Sequence, residues 1–172
     1  MKSPGAWYVL HTKSRFENVV HEGLSKKSLE AFLPKIQVRS RRRDRRIMIR
    51  EPLFPGYLFV KSALEAYEHL EILKTTGVVR FIGNREGPLP VPNENIESLM
   101  IMVAGADAII TGKRFKKGDK VIVINGPLAG VTGIFAHYRG KKRVIVTIEA
   151  LGQYAGVDVS EEDVEILPEI LS

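Results

Sequence analysis

The stretch GDKVIVINGPLAGVTGIF, residues 118–135, sets glycines at 126, 130 and 133 behind a β-branched run, a density that phosphate-cradling loops share. A Walker loop ends in Gly-Lys-Ser/Thr, so that an ammonium and a hydroxyl meet phosphate and magnesium; here Gly130 is followed by Val131 and Thr132. A dinucleotide loop needs Gly-x-Gly-x-x-Gly opening a helix, and Leu128 stands at the middle glycine position. Residues 134–138 are also too few to form that helix before a basic turn. Glycine here is expected to turn and bulge strands. Other chemistry is equally thin. His11, His21, His69 and His137 lack metal-ligand spacing, no serine has nucleophile-elbow surroundings, and cysteine is absent. No catalytic residue, metal ligand or cofactor is predicted, and the chain reads as a non-enzyme.

Charge is the stronger signal. Arg39, Arg41, Arg42, Arg43, Arg45, Arg46 and Arg50, with Asp44 among them, carry the whole net charge of +6, and the remaining basic and acidic residues cancel. Clustered arginines repel one another unless a polyanion or solvent screens them, so a nucleic-acid partner is expected. A second basic group runs from Lys113 through Arg114, Lys116, Lys117 and Lys120 to the turn Arg139, Lys141, Lys142, Arg143, and the tail from Glu161 to Glu169 is acidic. The apolar stretches at the amino end and over residues 99–110 fall short of a signal peptide core and of the ~20 residues a spanning helix needs. Without cysteine, and at 44% hydrophobic and 27% charged residues, the expectation is a folded, cytoplasmic monomer with no membrane contact.

The elements that position these residues follow from periodicity. Residues 7–10 read as a buried strand; Ser14 and Glu17 form a capping box before a helix whose Phe16, Val19, Val20 and Leu24 make one face. A strand over 32–38 and another at 47–49 are the arms of a long hairpin with the arginines at its tip. Pro52 and Pro55 exclude ladder bonding around Leu53 and Phe54 before a strand over 57–60. Ser62 and Glu65 start a helix faced by Leu64, Tyr67, Leu70 and Leu73; a strand spans 78–82; Asn93 caps a helix faced by Ile96, Leu99, Met100 and Val103. The fold class is α+β, helices on an antiparallel sheet, over residues 1–104. Small residues make 105–113 a linker. Residues 114–172 hold five short strands, 120–124, 133–138, 143–148, 157–159 and 164–167, a small all-β barrel.

WYVLHTKSRFENVV at the start, PLFPGYLFV from Pro52 to Val60 and KKGDKVIVINGPLAGVTGIF in the barrel together resemble the NusG family of transcription elongation factors. The resemblance covers nearly the whole chain, in order. It implies an amino-terminal NGN domain and a carboxy-terminal KOW domain with an SH3-like barrel. In the KOW hairpin Gly118, Asp119, Gly126, Pro127, Gly130 and Gly133 would serve geometry: turning at 126 and 127, relieving crowding at 130 and 133. The resemblance further implies binding to RNA polymerase, through an apolar depression that receives the clamp helices of its largest subunit. Carried over by motif, that surface includes Trp7, Tyr8, Phe54, Pro55 and Tyr57, with Phe54 expected as a rigid exposed anchor between prolines.

The arginine hairpin lies beyond the family's shared core. It is expected to reach DNA near the transcription bubble through phosphate contacts, and the Arg139 to Arg143 turn suits nascent RNA. The family's Phe-Gly-Arg element, which helps the barrel dock on Rho or a ribosomal protein, is replaced by IEALGQYAGVDV from Ile148. That departure favours a specialised paralogue of the antiterminator type, like the RfaH and LoaP groups, over a housekeeping factor coupling polymerase to Rho or the ribosome. A KOW-bearing ribosome-associated RNA-binding protein is the alternative of another class. The β-branched runs 121–124 and 144–148 predict a second domain that stays β.

Overall fold

The structure is a computed structural model that describes residues 5–39, 48–113 and 118–167. Contacts divide the chain into two units, Met1–Val91 and Pro92–Ser172.

The first unit runs β1 (Ala6–Thr12), α1 (Glu17–Lys26), β2 (Glu30–Phe32), β3 (Lys35–Arg39), β4 (Met48–Pro52), β5 (Tyr57–Ser62), α2 (Ala66–Leu73), β6 (Val78–Phe81), β7 (Gly83–Asn84), β8 (Gly87–Pro88) and β9 (Pro90–Val91). Its main sheet has the order β2-β5-β1-β6, with β9 also beside β1, and every pair is antiparallel. One sheet face is apolar at Leu10, Leu58, Val60 and Phe81, and α1 and α2 close over it with Val20, Leu24 and Ile72. This is the expected layering of helices on an antiparallel sheet. β3 and β4 pair only with each other, and so do β7 and β8.

The helix details differ from the sequence expectation. α1 begins at Glu17 with no side-chain cap, so Ser14 plays no capping part, and the buried face is Glu17, Val20 and Leu24 while Phe16 and Val19 stay exposed. α2 begins at Ala66. Ser62 instead accepts the Leu64 amide at 2.9 Å and donates to Glu68 Oε1 at 2.6 Å. Its buried residue is Ile72, and Tyr67, at 77% exposure, lies outward with Leu70 and Leu73. An eight-residue helix turns barely twice, so one apolar residue facing the sheet suffices to seat it, and spacing alone cannot choose between two apolar rows.

The second unit holds α3 (Asn93–Gly105), β10 (Ile110–Lys113), β11 (Lys120–Val123), β12 (Thr132–Tyr138), β13 (Lys141–Ile148), β14 (Gln153–Asp158) and β15 (Val164–Ile166). The strands form one antiparallel sheet in the order β10-β14-β13-β12-β11-β15. Val144, Ile145, Val146 and Ile148 are all buried, as a central strand covered on both faces requires. The strands of this unit lie where the β-branched runs were read, with β14 starting earlier than expected and β10 added.

Two further elements pack with these strands. α3, expected with the front domain, packs on β12 and β13: Ser98 Oγ accepts the Thr132 amide at 2.9 Å and donates to its carbonyl at 3.3 Å. Asn95 Nδ2 donates to the Thr147 carbonyl at 3.2 Å, and Glu94 pairs with Lys120 at 2.8 Å. Polar residues on a helix that reads as apolar thus bond to the strands beside its buried Ile96, Leu99 and Met102. Asn93 is its first residue, not its cap. The linker expected over 105–113 ends in β10, which pairs with β14 from Ile110↔Gly156 to Lys113↔Gln153. Small residues are needed there for packing: a Cβ at Gly112 would collide with the Tyr154 ring.

Candidate functional site

The KOW-like hairpin answers the phosphate question through its amides. Gly130 N–H donates to the Val123 carbonyl at 2.8 Å, Ala129 N–H to Gly126 at 3.1 Å and Val131 N–H to Leu128 at 3.1 Å. Donors that a phosphate would need are spent on turning the chain. Gly126 and Gly130 adopt φ of +82° and +98°, conformations that glycine takes without strain. Gly133 has another reason: a methyl there would strike the Ile145 carbonyl of the neighbouring strand.

The loop between β4 and β5 is built around a buried peg. Leu53 N–H bonds to the Pro34 carbonyl at 2.8 Å, and Leu53 and Phe54 both turn inward. Phe54, at 1% exposure, sits edge-on to Phe59, with ring centroids 6.4 Å apart, and Phe59 stacks on Phe32. The chain then reverses through Phe54-Pro55-Gly56-Tyr57. Proline occupies the second position and glycine, at φ +87°, the third, with the Tyr57 amide closing on the Phe54 carbonyl at 3.0 Å. This is the residue pattern of a type II turn.

The five residues expected to form the polymerase-binding surface are therefore not brought together. Pro55 is exposed and Tyr57 half-buried. Phe54 and Trp7 are interior, which corrects the reading of Phe54 as an exposed anchor: prolines that prevent ladder bonding also let a segment fold back into the core. Tyr8 alternates to the opposite sheet face from Trp7 and packs edge-on against Phe81, within the core under the helices. One residue was missed. His11 lies at the centre of this region, its Nδ1 3.1 Å from the Gly56 carbonyl and its ring 5.1 Å from that of Tyr57. The signal was present in the alternation Trp7, Val9, His11, which places it on the Tyr57 side of β1.

The two basic hairpins differ. β3 and β4 pair from Lys35↔Pro52 to Arg39↔Met48, so Lys35, Gln37, Arg39 and Arg50 share one face of the ribbon and Ile36, Val38 and Ile49 the other. Arg39 and Arg50 are exposed. Arg41, Arg42, Arg43, Arg45 and Arg46 lie outside the described residues. The β12–β13 turn at Arg139 and Gly140 has positive φ at both positions, as a two-residue hairpin of type I′ requires. Its cations are not free as the sequence implied. Arg143 Nε meets Asp158 Oδ1 at 2.8 Å, Lys141 lies 3.7 Å from Asp158 Oδ2, and Lys142 pairs with Glu161. The hydrogen bond and charge of Lys142 hold the Glu161 carboxyl below its usual range.

A family model described as "Transcription termination factor nusG" matches residues 5–100. The chain belongs to the NusG family. The match ends inside α3, a helix of the second unit. Among its relatives is the transcription termination/antitermination protein NusG of Thermus thermophilus, 29% identical over 83% of this chain and 89% of that protein. The protein of the same name from Bacillus subtilis is 27% identical over 94% and 98% respectively. The chain spans 63% of the length of the Streptomyces coelicolor relative, at 26% identity. In fold it is similar to the structure described as "Domain interaction in Thermotoga maritima NusG", with a TM-score of 0.54 at 24% identity, covering 95% of this chain and 98% of that one. Among the described residues no helix is long and apolar enough to cross a membrane.

Proposed function

We propose that the chain is a transcription elongation and antitermination factor that binds the clamp helices of the largest RNA polymerase subunit through its front domain. The observation that carries this reading is the Phe54–Tyr57 turn within the family match: a proline and an aromatic ring displayed on a segment pegged into the core by Phe54. A rigid apolar projection loses little entropy on docking against a helix, which suits it to that partner. Pro55 and Tyr57 are the contacting residues in this reading, with the buried Phe54 as their peg; the interior Trp7 and the core-packed Tyr8 have no part.

The β3–β4 ribbon supplies the second contact. Its basic face, with Arg39 and Arg50, approaches DNA beside the transcription bubble, and together with the arginines of residues 41–46 it binds phosphate with little sequence preference. This feature, with the altered Ile148–Val159 segment, favours a specialised antiterminator over the housekeeping factor. The barrel's partner in this reading is nascent RNA, Rho or a ribosomal protein. Run-off transcription through a terminator on a long template is expected to yield more full-length product with the chain present, and none of that gain with Tyr57→Ala. Increased pausing, or a gain that Rho abolishes, would sink the antiterminator reading.

A further inference from the structure

Cross-strand pairing sets three polar side chains in a row on the sheet face away from α1 and α2. His11 of β1 is the direct partner of Tyr57 on β5 and of Arg80 on β6, while its neighbour Leu10 belongs to the core under the helices. Between Tyr57 and the core, the Gly56 carbonyl receives two donors: the Thr12 amide at 2.8 Å and His11 Nδ1 at 3.1 Å. A carbonyl oxygen only accepts, so the imidazole must carry its proton on Nδ1.

We infer that His11 is the positioning residue of the partner-binding turn, its Nδ1–H fixing the Gly56 carbonyl while its ring supports Tyr57. Phe54 anchors one end of the turn by burial. The other end has no such peg, because Gly56 lacks a side chain and its left-handed backbone is the most permissive point of the loop. The Thr12 amide fixes the carbonyl along the strand, and the imidazole adds the second bond and the surface against which Tyr57 leans at 38°. Without it, Pro55 and Tyr57 lose a fixed relative geometry although no atom that meets the partner has changed. The link to binding rests on the reading that this turn touches polymerase.

The test uses the full chain and two variants of opposite kind. His11→Phe keeps a ring beside Tyr57 and removes the donor; His11→Asn keeps an amide donor close to the Nδ1 position and removes the ring. Nitrogen NMR of the wild type is expected to show the Nδ1–H tautomer. His11→Phe is expected to speed exchange of the Tyr57 amide, which closes the turn, about tenfold, and to weaken polymerase binding about tenfold; His11→Asn restores both to within about threefold. A wild-type Nε2–H tautomer overturns the inference even if a variant fails to fold. So does Tyr57 exchange that His11→Phe leaves unchanged, or that His11→Asn fails to restore. If exchange behaves as expected but affinity ignores both His11→Phe and Tyr57→Ala, the positioning role stands and the polymerase reading of the turn falls.

Discussion

The β3–β4 ribbon and the β12–β13 turn carry similar basic residues and present different charge. In the first, Arg39 and Arg50 are exposed and, among the described residues, neither forms an ion pair. In the second, Lys141, Lys142 and Arg143 each meet a carboxylate from Asp158 or Glu161. A phosphate approaching the ribbon meets cations that no described carboxylate pairs, whereas one approaching the turn must displace an acid already there. Pairs this exposed are individually weak, so the turn is dampened more than closed. What a sequence lists as positive charge and what a fold leaves available are separate quantities.

Salt dependence separates the two hairpins most sharply. Replacing Arg39 and Arg50 with glutamine is expected to lower the slope of log affinity for duplex DNA against log salt by about two units, read by fluorescence anisotropy across a salt series. The same change at Lys141 and Lys142 is expected to move it by less than about one unit; equal slopes would erase the distinction between the hairpins. A middle-sized effect should come from neutralising the turn's acid: Asp158→Asn removes the carboxylate charge that Lys141 and Arg143 meet and is expected to raise affinity for single-stranded RNA about threefold at low salt, with the melting temperature little changed. An unchanged affinity would mean that the turn faces no nucleic acid. The smallest effect concerns acid. Because Lys142 lowers the Glu161 pKa in the folded chain, that pair's contribution is present above the ordinary carboxylate range and disappears as pH falls through the lowered value. Thermal melts of wild type and Glu161→Gln should therefore differ slightly at neutral pH and converge at strongly acid pH.

Much of the fold was legible because strands announce themselves by β-branched runs: Lys120–Val123 and Lys141–Ile148 fall where those runs placed them. The fold class followed from the order of elements. Helix faces were less legible, since α1 and α2 are short and each offers two apolar rows; Val19 and Tyr67 belong to the outward ones. The candidate site was half visible. The Pro-Gly pair marked a turn, but proline's effect on laddering says nothing about which way Phe54 points, and only the packed Phe32, Phe59 and Phe54 rings decide it. The ion pairs of the barrel turn were hidden for a different reason. Arg143 and Asp158 are 15 residues apart and meet through the β13–β14 register, which no local pattern reveals. Likewise Ser98 and Asn95 looked incidental on α3 until their strand partners were in view.

The central claim is that the Phe54–Tyr57 turn presents a rigid apolar projection to polymerase. Its most direct test is the affinity of full-length chain for a clamp-helix fragment of the largest subunit, measured by calorimetry for wild type and Tyr57→Ala, with circular dichroism showing both folded. A loss of about thirtyfold, on the order of 2 kcal/mol, is the expected result. Equal affinity in two equally folded proteins would contradict the account.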